Sequence, residues 1–298
     1  MISRRHITNK PWPVTQSASC QTARRLRFSG MKSTAAMTCL ALLAACAPVE
    51  KPLPAPPPVA KAAPPPAPPS LPPESPRAAG VEISGIAFEG VAFDSRSHRL
   101  LVVDQPGGPG SRFADAAAAA RSVGGLAAVN GGFFTPAGEP LGLVIAAGKK
   151  SGAWNSASSL GAGIWHADSS GHSAISRRAK LGSAAAGTMR ELLQAGPMLV
   201  ENGRAVSGLD GVKTSARTVI LWDGGTRWWI GRTPPCTLAG VAAALANGRP
   251  AGWPVRHALN LDGGRSSDLW ISERLPGGPV SRRPAWNRPV RNFLVLAP

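Results

Sequence analysis

The chain has 298 residues and a formal net charge of +17, since 33 lysines and arginines face 16 aspartates and glutamates. This surplus favours a polyanionic partner, such as a phosphorylated glycan or a membrane surface. The sequence contains no zinc-finger spacing, basic heptad helix or aromatic-basic ribonucleoprotein motif, so nucleic acid is not expected to bind.

The first segment of the chain, residues 1–45, is predicted to be absent from the mature protein. Residues 1–30 are interpreted as an extension upstream of the true start at Met31, and residues 31–45 as a lipoprotein signal peptide. The signal ends in a lipobox at residues 43–46, Leu-Ala-Ala-Cys, whose cysteine would be acylated. Removal of residues 1–45, with seven basic residues and no acids, would lower the net charge from +17 to +10.

The next segment is predicted to tether a single domain to a membrane. Lipid on Cys46 would provide the anchor, and Ala47 carries no inner-membrane retention acid, so the periplasmic face of the outer membrane is the expected location. Residues 46–79 hold 14 of the 30 prolines, together with many alanines, and are predicted to be extended. Residues 80–298 are long enough to form a domain with its own core.

The domain is predicted to consist of short strands joined by hairpins. Alternating or β-branched runs predict strands at residues 81–93, 99–103, 126–129, 164–166, 173–176, 198–201, 218–222, 228–230, 258–261, 269–271 and 292–296. Helices are predicted at residues 113–121 and 237–246, the second with Thr237 as its N-cap. The pattern predicts a single-domain α+β fold with a mixed, mainly antiparallel sheet. Near the end, residues 282–291 hold four arginines, which form either a solvated segment or an anion-binding patch.

Two glycine-containing turns are the strongest indications of a functional site. Residues 130–134, Asn-Gly-Gly-Phe-Phe, follow one short apolar run, and residues 262–264, Asp-Gly-Gly, follow another. Glycine lets a ligand approach backbone N–H groups closely, and a carboxylate at a strand end is held in place by the core. The alternative is an ordinary Asp-Gly turn, in which Asp262 accepts backbone hydrogen bonds.

The two turns occur in a fixed order with two further motifs. Residues 194–197, Gln-Ala-Gly-Pro, and residues 216–218, Ala-Arg-Thr, lie between them. Together these motifs resemble the phosphodiester glycosidase family over most of residues 90–298. One position departs from the family pattern, because Arg265 stands where the family usually has a third glycine. An Arg265 side chain that filled the pocket would favour a glycan-binding module over an enzyme.

The resemblance implies a hydrolase that cleaves a sugar-1-phosphodiester of cell-envelope or exopolysaccharide glycans and releases free sugar and a phosphomonoester. Asp262 is the predicted catalytic carboxylate, as nucleophile, base or electrostatic partner of the oxocarbenium-like carbon. Arg217 would bind phosphate oxygens through its planar guanidinium, also in a catalytic role. Asn130 would hold a sugar hydroxyl or orient Asp262. No cofactor is expected, and the sequence leaves a bound metal open.

The remaining motif positions are predicted to bind substrate. Gly263, Gly264 and Ser266 would form an anion-binding nest. The other expected substrate-binding residues are Gly131, Gly132, Gln194, Gly196, Thr218, Asn260 and Ser267.

Glycosidases normally need a second carboxylate, since retaining and inverting enzymes both use a pair. Glu139, which closely follows the first glycine turn, is the predicted second catalytic carboxylate. Asp268 and Asp210 are the alternatives.

Three other functions remain open from the sequence. A Ser-His-Asp hydrolase could use Ser266, His257 and Asp262, although the chain has no G-x-S-x-G elbow. A metal-dependent phosphodiesterase would need paired histidines or an HExxH motif, and neither occurs. A glycan-binding lipoprotein could stack sugars on some of its nine tryptophans, such as Trp228, Trp229 and Trp270, without turnover.

Overall fold

The computed structural model describes residues 72–298. The predicted upstream extension, signal peptide, lipid site at Cys46 and most of the predicted tether lie outside the described residues. Within the described part, no helix is long and apolar enough to cross a membrane. The first strand begins at Arg77, ahead of the expected domain boundary at residue 80.

Strands dominate this part of the chain, with 17 strands and four short α-helices. The strands are β1 (Arg77–Ile83), β2 (Ile86–Asp94), β3 (Arg99–Asp104), β4 (Ala127–Asn130), β5 (Val144–Ala146), β6 (Lys149–Ser151), β7 (Gly163–Ala167), β8 (Ser173–Arg177), β9 (Glu191–Ala195), β10 (Met198–Glu201), β11 (Arg204–Ala205), β12 (Ser215–Trp222), β13 (Arg227–Cys236), β14 (His257–Asn260), β15 (Leu269–Ile271), β16 (Val280–Arg282) and β17 (Asn292–Ala297). The α-helices are α1 (Ala116–Ser122), α2 (Arg178–Leu181), α3 (Ser183–Ala186) and α4 (Leu238–Asn247).

The strands form three sheets, which we number by size and position in the chain. Sheet I has the order β1-β2-β13-β12-β14-β10-β11, sheet II the order β16-β15-β4-β17-β3, and sheet III the order β6-β5-β9-β7-β8. Every strand pair within residues 72–298 is antiparallel. The prediction of an α+β fold with mainly antiparallel sheets is therefore confirmed, while the expected mixed character is not seen in this region.

The three sheets share one hydrophobic core. Ile220 and Trp228 from sheet I, Val129 from sheet II, and Trp165 and Leu193 from sheet III are all buried in it. Since successive side chains of a strand point to opposite faces, each sheet also has a second face to cover. Helix α4 packs on the second face of sheet I, and helix α1 packs on the second face of sheet II. The ends of the strands are not covered by these helices and can form a site.

Of the two longer helices, α4 begins where the sequence predicts and α1 begins later. Thr237 caps α4 by accepting a hydrogen bond from the Gly240 N–H at 3.0 Å. Asp115 caps α1 in the same way, accepting from the Ala118 N–H at 2.8 Å, so this helix starts later than residue 113.

One predicted strand was wrong in its extent. Residues 81–93 are not continuous, because Ser84 and Gly85 have φ angles of 52° and 74° and reverse the chain between β1 and β2. Positive φ at both central residues is the geometry of a two-residue hairpin turn. The Ser-Gly pair was the sequence signal for this turn, and the β-branched residues around it concealed it.

Candidate functional site

The two glycine turns meet at the ends of β4 and β14, which belong to different sheets. The Asp262 N–H donates to the carbonyl oxygen of Gly131 at 3.0 Å. In return, Nδ2 of Asn130 donates to the carbonyl oxygen of Asp262 at 2.7 Å. These two bonds join the two glycine turns, and the bond of Asn130 spans 132 positions in the chain.

Asn130 positions Asp262 rather than facing a ligand. Its side chain is fully buried, and its Oδ1 accepts hydrogen bonds from the Thr218 hydroxyl at 2.7 Å and from the Asp268 N–H at 3.1 Å. The Ser267 hydroxyl lies 3.2 Å from that of Thr218 and extends the network. Of the two roles expected for Asn130, the geometry supports the orienting one, and Thr218 and Ser267 support Asn130 in it.

A cavity of about 310 Å³ opens beside this network. Its walls come from the ends of β12 and β14, the start of α4 and several loops, so residues from distant parts of the chain share one surface. They are Phe133, Leu160, Pro197, Asp210, Lys213, Ser215, Arg217, Leu238, Asn260, Asp262 and Gly263. Four of the residues predicted from sequence, Arg217, Asn260, Asp262 and Gly263, therefore line the same cavity.

Asp262 is a buried carboxylate that is only partly satisfied. Its Oδ1 accepts from the Gly263 N–H at 2.9 Å, whereas Oδ2 is buried without a hydrogen-bond partner in the described protein. Burial raises the pKa of Asp262, and the nearby Ser266 hydroxyl, the Gly263 N–H and the charge of Arg288 oppose this only in part. A carboxylate oxygen that accepts no hydrogen bond, in a residue with a raised pKa that lines a cavity, is suited to accept a proton or to face a developing cation.

Arg288 is a site residue that the sequence reading left undecided within residues 282–291. Its Nη2 lies 3.7 Å from Oδ2 of Asp262, and its Nε donates to the Ser266 hydroxyl at 3.1 Å. The guanidinium also stacks over the ring of Phe134 at 4.7 Å. Arg288 therefore links the two glycine turns and provides positive charge next to the buried carboxylate.

Arg217 reaches the cavity from β12 and is held in place by backbone carbonyls. Its Nε donates to the Cys236 carbonyl at 3.1 Å and its Nη2 to the Lys213 carbonyl at 2.9 Å. Its Nη1 has no hydrogen bond to the described residues. A half-buried guanidinium fixed at two nitrogens and free at the third is a rigid donor, which suits a phosphate oxygen.

Asn260 adds a second unsatisfied acceptor. Its Nδ2 donates to the carbonyl oxygens of Gly196 at 2.9 Å and Leu261 at 2.8 Å, which fixes the amide plane. Its Oδ1 is buried and has no hydrogen-bond partner within residues 72–298. Because a buried acceptor without a donor costs free energy, Oδ1 of Asn260 and Oδ2 of Asp262 are suited to the hydroxyl groups of a sugar.

The predicted second carboxylate, Glu139, does not line this cavity. Its side chain is 67% exposed and its Oε2 lies 3.5 Å from Nη1 of Arg291. Asp268 does not line it either, because its Oδ2 accepts from the Ala116 N–H at 2.9 Å at the start of α1. Asp210, the third carboxylate considered, does line the cavity, where N–H groups of Val212 and Lys213 lower its pKa.

Gln194 and Gly196 do not line the cavity but stabilise the loops around it. The Gln194 side chain is buried and forms four hydrogen bonds to backbone groups of Leu143, Asn155 and Gly161. Gly196 packs so closely on the carbonyl of Ser159 that a Cβ atom would overlap it. The motif at residues 194–197 therefore holds the loop that carries Pro197 against the cavity.

Of the remaining predicted glycines and serines, some stabilise the turns and others line a cavity. The Gly131 N–H donates to the carbonyl oxygen of Asn292 at 2.8 Å, and the Gly132 N–H donates to its Oδ1 at 2.8 Å. Ser266 is fully buried beneath the turn, and Gly264 faces a different cavity. Of the predicted anion-binding nest, only Gly263 lines the cavity of Asp262.

Arg265 does not fill the cavity of Asp262. Its side chain is exposed and its Nε donates to the Trp286 carbonyl at 3.0 Å, on the far side of the turn. The condition that would have favoured a pure glycan-binding module is therefore absent.

The structure also bears on the other functions considered. His257 and Asp262 lie at opposite ends of β14, about 16 Å apart at ~3.3 Å per residue, and His257 stacks on Trp222 instead. Trp228 and Trp229 are buried in the core, and Trp270 packs against Arg121, so none is free to stack on a sugar as expected for a binding module. No group of three or more metal-binding side chains occurs among the described residues.

Comparisons with known proteins bear on the family and the fold of the chain. Residues 124–297 match the model of the phosphodiester glycosidase family, while no curated protein sequence matches the chain. The catalytic domain of zebrafish N-acetylglucosamine-1-phosphodiester alpha-N-acetylglucosaminidase, auto-inhibited by its pro-peptide, is similar in fold, with 19% identity and a TM-score of 0.51 over 75% of this chain and 82% of that one. A hypothetical protein from Synechocystis has 17% identity and a TM-score of 0.48, over 74% of this chain and 61% of that one.

Proposed function

The chain belongs to the phosphodiester glycosidase family, and from this premise we propose that it hydrolyses a sugar-1-phosphodiester in a phosphorylated glycan. The observation that carries the proposal is the cavity in which Asp262, Arg217 and Asn260 meet. A carboxylate, a fixed guanidinium and a free amide oxygen match the anomeric carbon, the phosphate and the hydroxyl groups of such a substrate.

The reaction replaces the bond between the anomeric carbon and the phosphate oxygen by a bond to water oxygen. Water adds to the anomeric carbon, the phosphate leaves with the electron pair of the broken bond, and a proton from water passes to a base. Because a phosphate is already a good leaving group, stabilisation of charge matters more than protonation of the departing oxygen. Arg217 would hold that phosphate, and Asp262 would act on the sugar side.

Asp210 replaces Glu139 as the proposed second carboxylate. Both Asp210 and Asp262 line the cavity, and the charge of Arg217 lies near enough to Asp210 to lower its pKa. Backbone N–H groups of Val212 and Lys213 keep Asp210 ionised, whereas burial makes Asp262 more basic. Two carboxyl groups with pKa values shifted in opposite directions can divide acid and base roles.

The experiment is turnover of a panel of synthetic sugar-1-phosphodiesters by residues 72–298, with free sugar and phosphomonoester measured separately. Arg217→Lys keeps the charge and loses the planar donor pair. It should therefore weaken substrates that carry phosphate more than free sugar, by about 1.5–3 kcal/mol. If the protein bound the glycans but turned over no member of the panel, it would be a glycan-binding module and not an enzyme.

We further propose that the protein acts as a lipid-anchored component of the bacterial envelope. The support is the lipobox at residues 43–46 and the proline-rich segment after it. Cys46→Ala in the full-length chain should block processing by the lipoprotein signal peptidase and remove the protein from the detergent-soluble membrane fraction. Unchanged processing and fractionation would rule the anchor out.

A further inference from the structure

A second cavity, of about 570 Å³, lies next to the cavity of Asp262. Ser215 lines both cavities, and the turn at residues 263–265 separates them, with Gly263 facing the first and Gly264 and Arg265 facing the second. Gly264 has a φ of 60°, and a Cβ atom there would approach the Ser215 hydroxyl to 2.9 Å. The partition between the two cavities is therefore thin.

The walls of the second cavity are cationic. Arg232, Arg265 and Arg283 line it, and no aspartate or glutamate does. Such a concentration of one charge, next to a site for a phosphodiester, favours an anionic ligand.

Two of the three arginines, Arg232 and Arg265, retain capacity to bind. Nε of Arg232 is buried without a hydrogen-bond partner, and its nearest carboxylate, Glu89, is 3.8 Å away and is shared with Arg282. Arg265 forms no ion pair with the described residues. Arg283 is the most neutralised of the three, by Asp115 at 3.2 Å and Asp268 at 3.4 Å.

Trp286 completes the wall with a surface suited to a sugar ring. It is 68% exposed, which makes it the only largely exposed aromatic side chain within residues 72–298. Its backbone carbonyl oxygen accepts from Nε of Arg265, and both residues line the second cavity. An exposed indole next to a fixed cation is a combination that binds a sugar and a phosphate together.

We propose that this cavity is a subsite for the neighbouring repeating unit of a polymer of phosphodiester-linked sugars. The inference rests on the proposed function and specifies its substrate class, since a single capped sugar would leave the second cavity empty. Arg265 binds the next phosphate, Trp286 packs on the next sugar, and Arg232 contributes its unpaired Nε.

The test compares two substrates with the same scissile linkage, a monomeric sugar-1-phosphodiester and an oligomer of several such units. Arg265→Gly and Trp286→Ala should each lower kcat/KM for the oligomer about tenfold, or about 1.4 kcal/mol, and leave kcat/KM for the monomer unchanged. The control is Arg249→Ala, which removes an exposed arginine distant in sequence from both cavities and should change neither value. Equal losses on both substrates, or no loss on either, would overturn the subsite.

Binding separates this inference from the proposed reaction. Calorimetry with the Asp262→Asn variant measures oligomer affinity without turnover, and adding Arg265→Gly should weaken the oligomer and spare the monomer. Turnover of monomer and oligomer with equal kcat/KM would refute the subsite and leave the glycosidase intact. Oligomer binding that depends on Arg265, without turnover of any substrate by the wild-type protein, would refute the glycosidase and support the subsite as an anion-binding site.

Discussion

Nδ2 of Asn130 donates to the backbone carbonyl of Asp262 at 2.7 Å, and this bond fixes the end of one sheet against the end of another. The carboxylate of Asp262 is thus oriented through its own main chain, while its Oδ2 stays free. A substitution at Asn130 would therefore disturb the backbone of Asp262, whereas a substitution at Asp262 would remove only its carboxylate.

The first prediction concerns Asp262→Asn, which should abolish turnover and stabilise the fold. Loss of the carboxylate should lower kcat by about two to four orders of magnitude, as for the loss of an acid-base group. Because burial raises the pKa of Asp262, the charged form lowers stability above its ordinary pKa of 3.8, and Asn relieves this at neutral pH. Steady-state kinetics and thermal unfolding at pH 7 measure both effects.

The control for this substitution is Asp168→Asn, in an exposed hairpin, which should keep full turnover. An Asp262→Asn protein that was inactive but less stable at neutral pH would indicate that the carboxylate has a structural role instead.

The second prediction concerns the support of Asn130. Thr218→Val keeps the shape of the side chain and removes the hydroxyl that donates to Asn130 at 2.7 Å, which should cost about 1–3 kcal/mol of unfolding free energy. Thr188→Val, at an exposed hydroxyl, should cost less than about 0.5 kcal/mol. Urea denaturation of both variants measures the difference, and equal costs would remove Thr218 from the network.

The third prediction concerns the space beneath the first glycine turn. A Cβ atom at Gly131 would overlap Oδ1 of Asn292, so Gly131→Ala should force the two turns apart and destabilise the domain by about 1–3 kcal/mol. Gly211→Ala is the matched control, because its Cβ would meet only Ala239 at an ordinary 3.8 Å. Melting temperatures would test the pair, with an unchanged value for Gly131→Ala contradicting the close approach.

The fourth prediction concerns pH. Burial raises the pKa of Asp268 to about 6, against the opposing hydrogen bond from Ala116 and charge of Arg283. The folded state therefore holds the proton of Asp268 more tightly than the unfolded state does. The contribution of protonated Asp268 to the free energy of unfolding is complete below pH 3.8 and is lost as pH rises through about 6. Asp268→Asn should gain stability relative to wild type between pH 4 and pH 7, by at most about 3 kcal/mol.

Unfolding free energies of wild type and Asp268→Asn at several pH values measure this gain. A difference that stayed constant across the range would show that Asp268 keeps an ordinary pKa.

The sequence predicted the parts of the site that depend on local pattern. Asp262 and Asn130 follow short apolar runs and precede paired glycines, and both lie where two strands end. Arg217 was found through its motif, and it lines the same cavity as Asp262. Each of these residues is marked by its immediate neighbours in the chain, which is why an unaligned sequence could indicate them.

The parts that the sequence could not predict depend on how loops fold in three dimensions. Glu139 follows a site turn closely, yet its loop turns back on itself through a hydrogen bond from Thr135 N–H to its carbonyl oxygen and carries the side chain outward. Asp210 was only one of two alternatives to Glu139, and Arg288 was left undecided within residues 282–291, because both reach the site through loop packing. Gln194 was predicted to bind substrate because its motif is distinctive, but its side-chain amide forms hydrogen bonds to backbone groups instead.

Strand β17 lies in the interior of sheet II, between β4 and β3, although it follows every other described strand in the chain. Arg291, just before it, pairs with Asp104 across 187 positions, and Asn292 holds both glycines of the first turn. Strands β3 and β4 can therefore join in one sheet only when β17, far downstream of both, lies between them. The functional site consequently depends on contacts of long sequence separation, which form more slowly than the local hairpins.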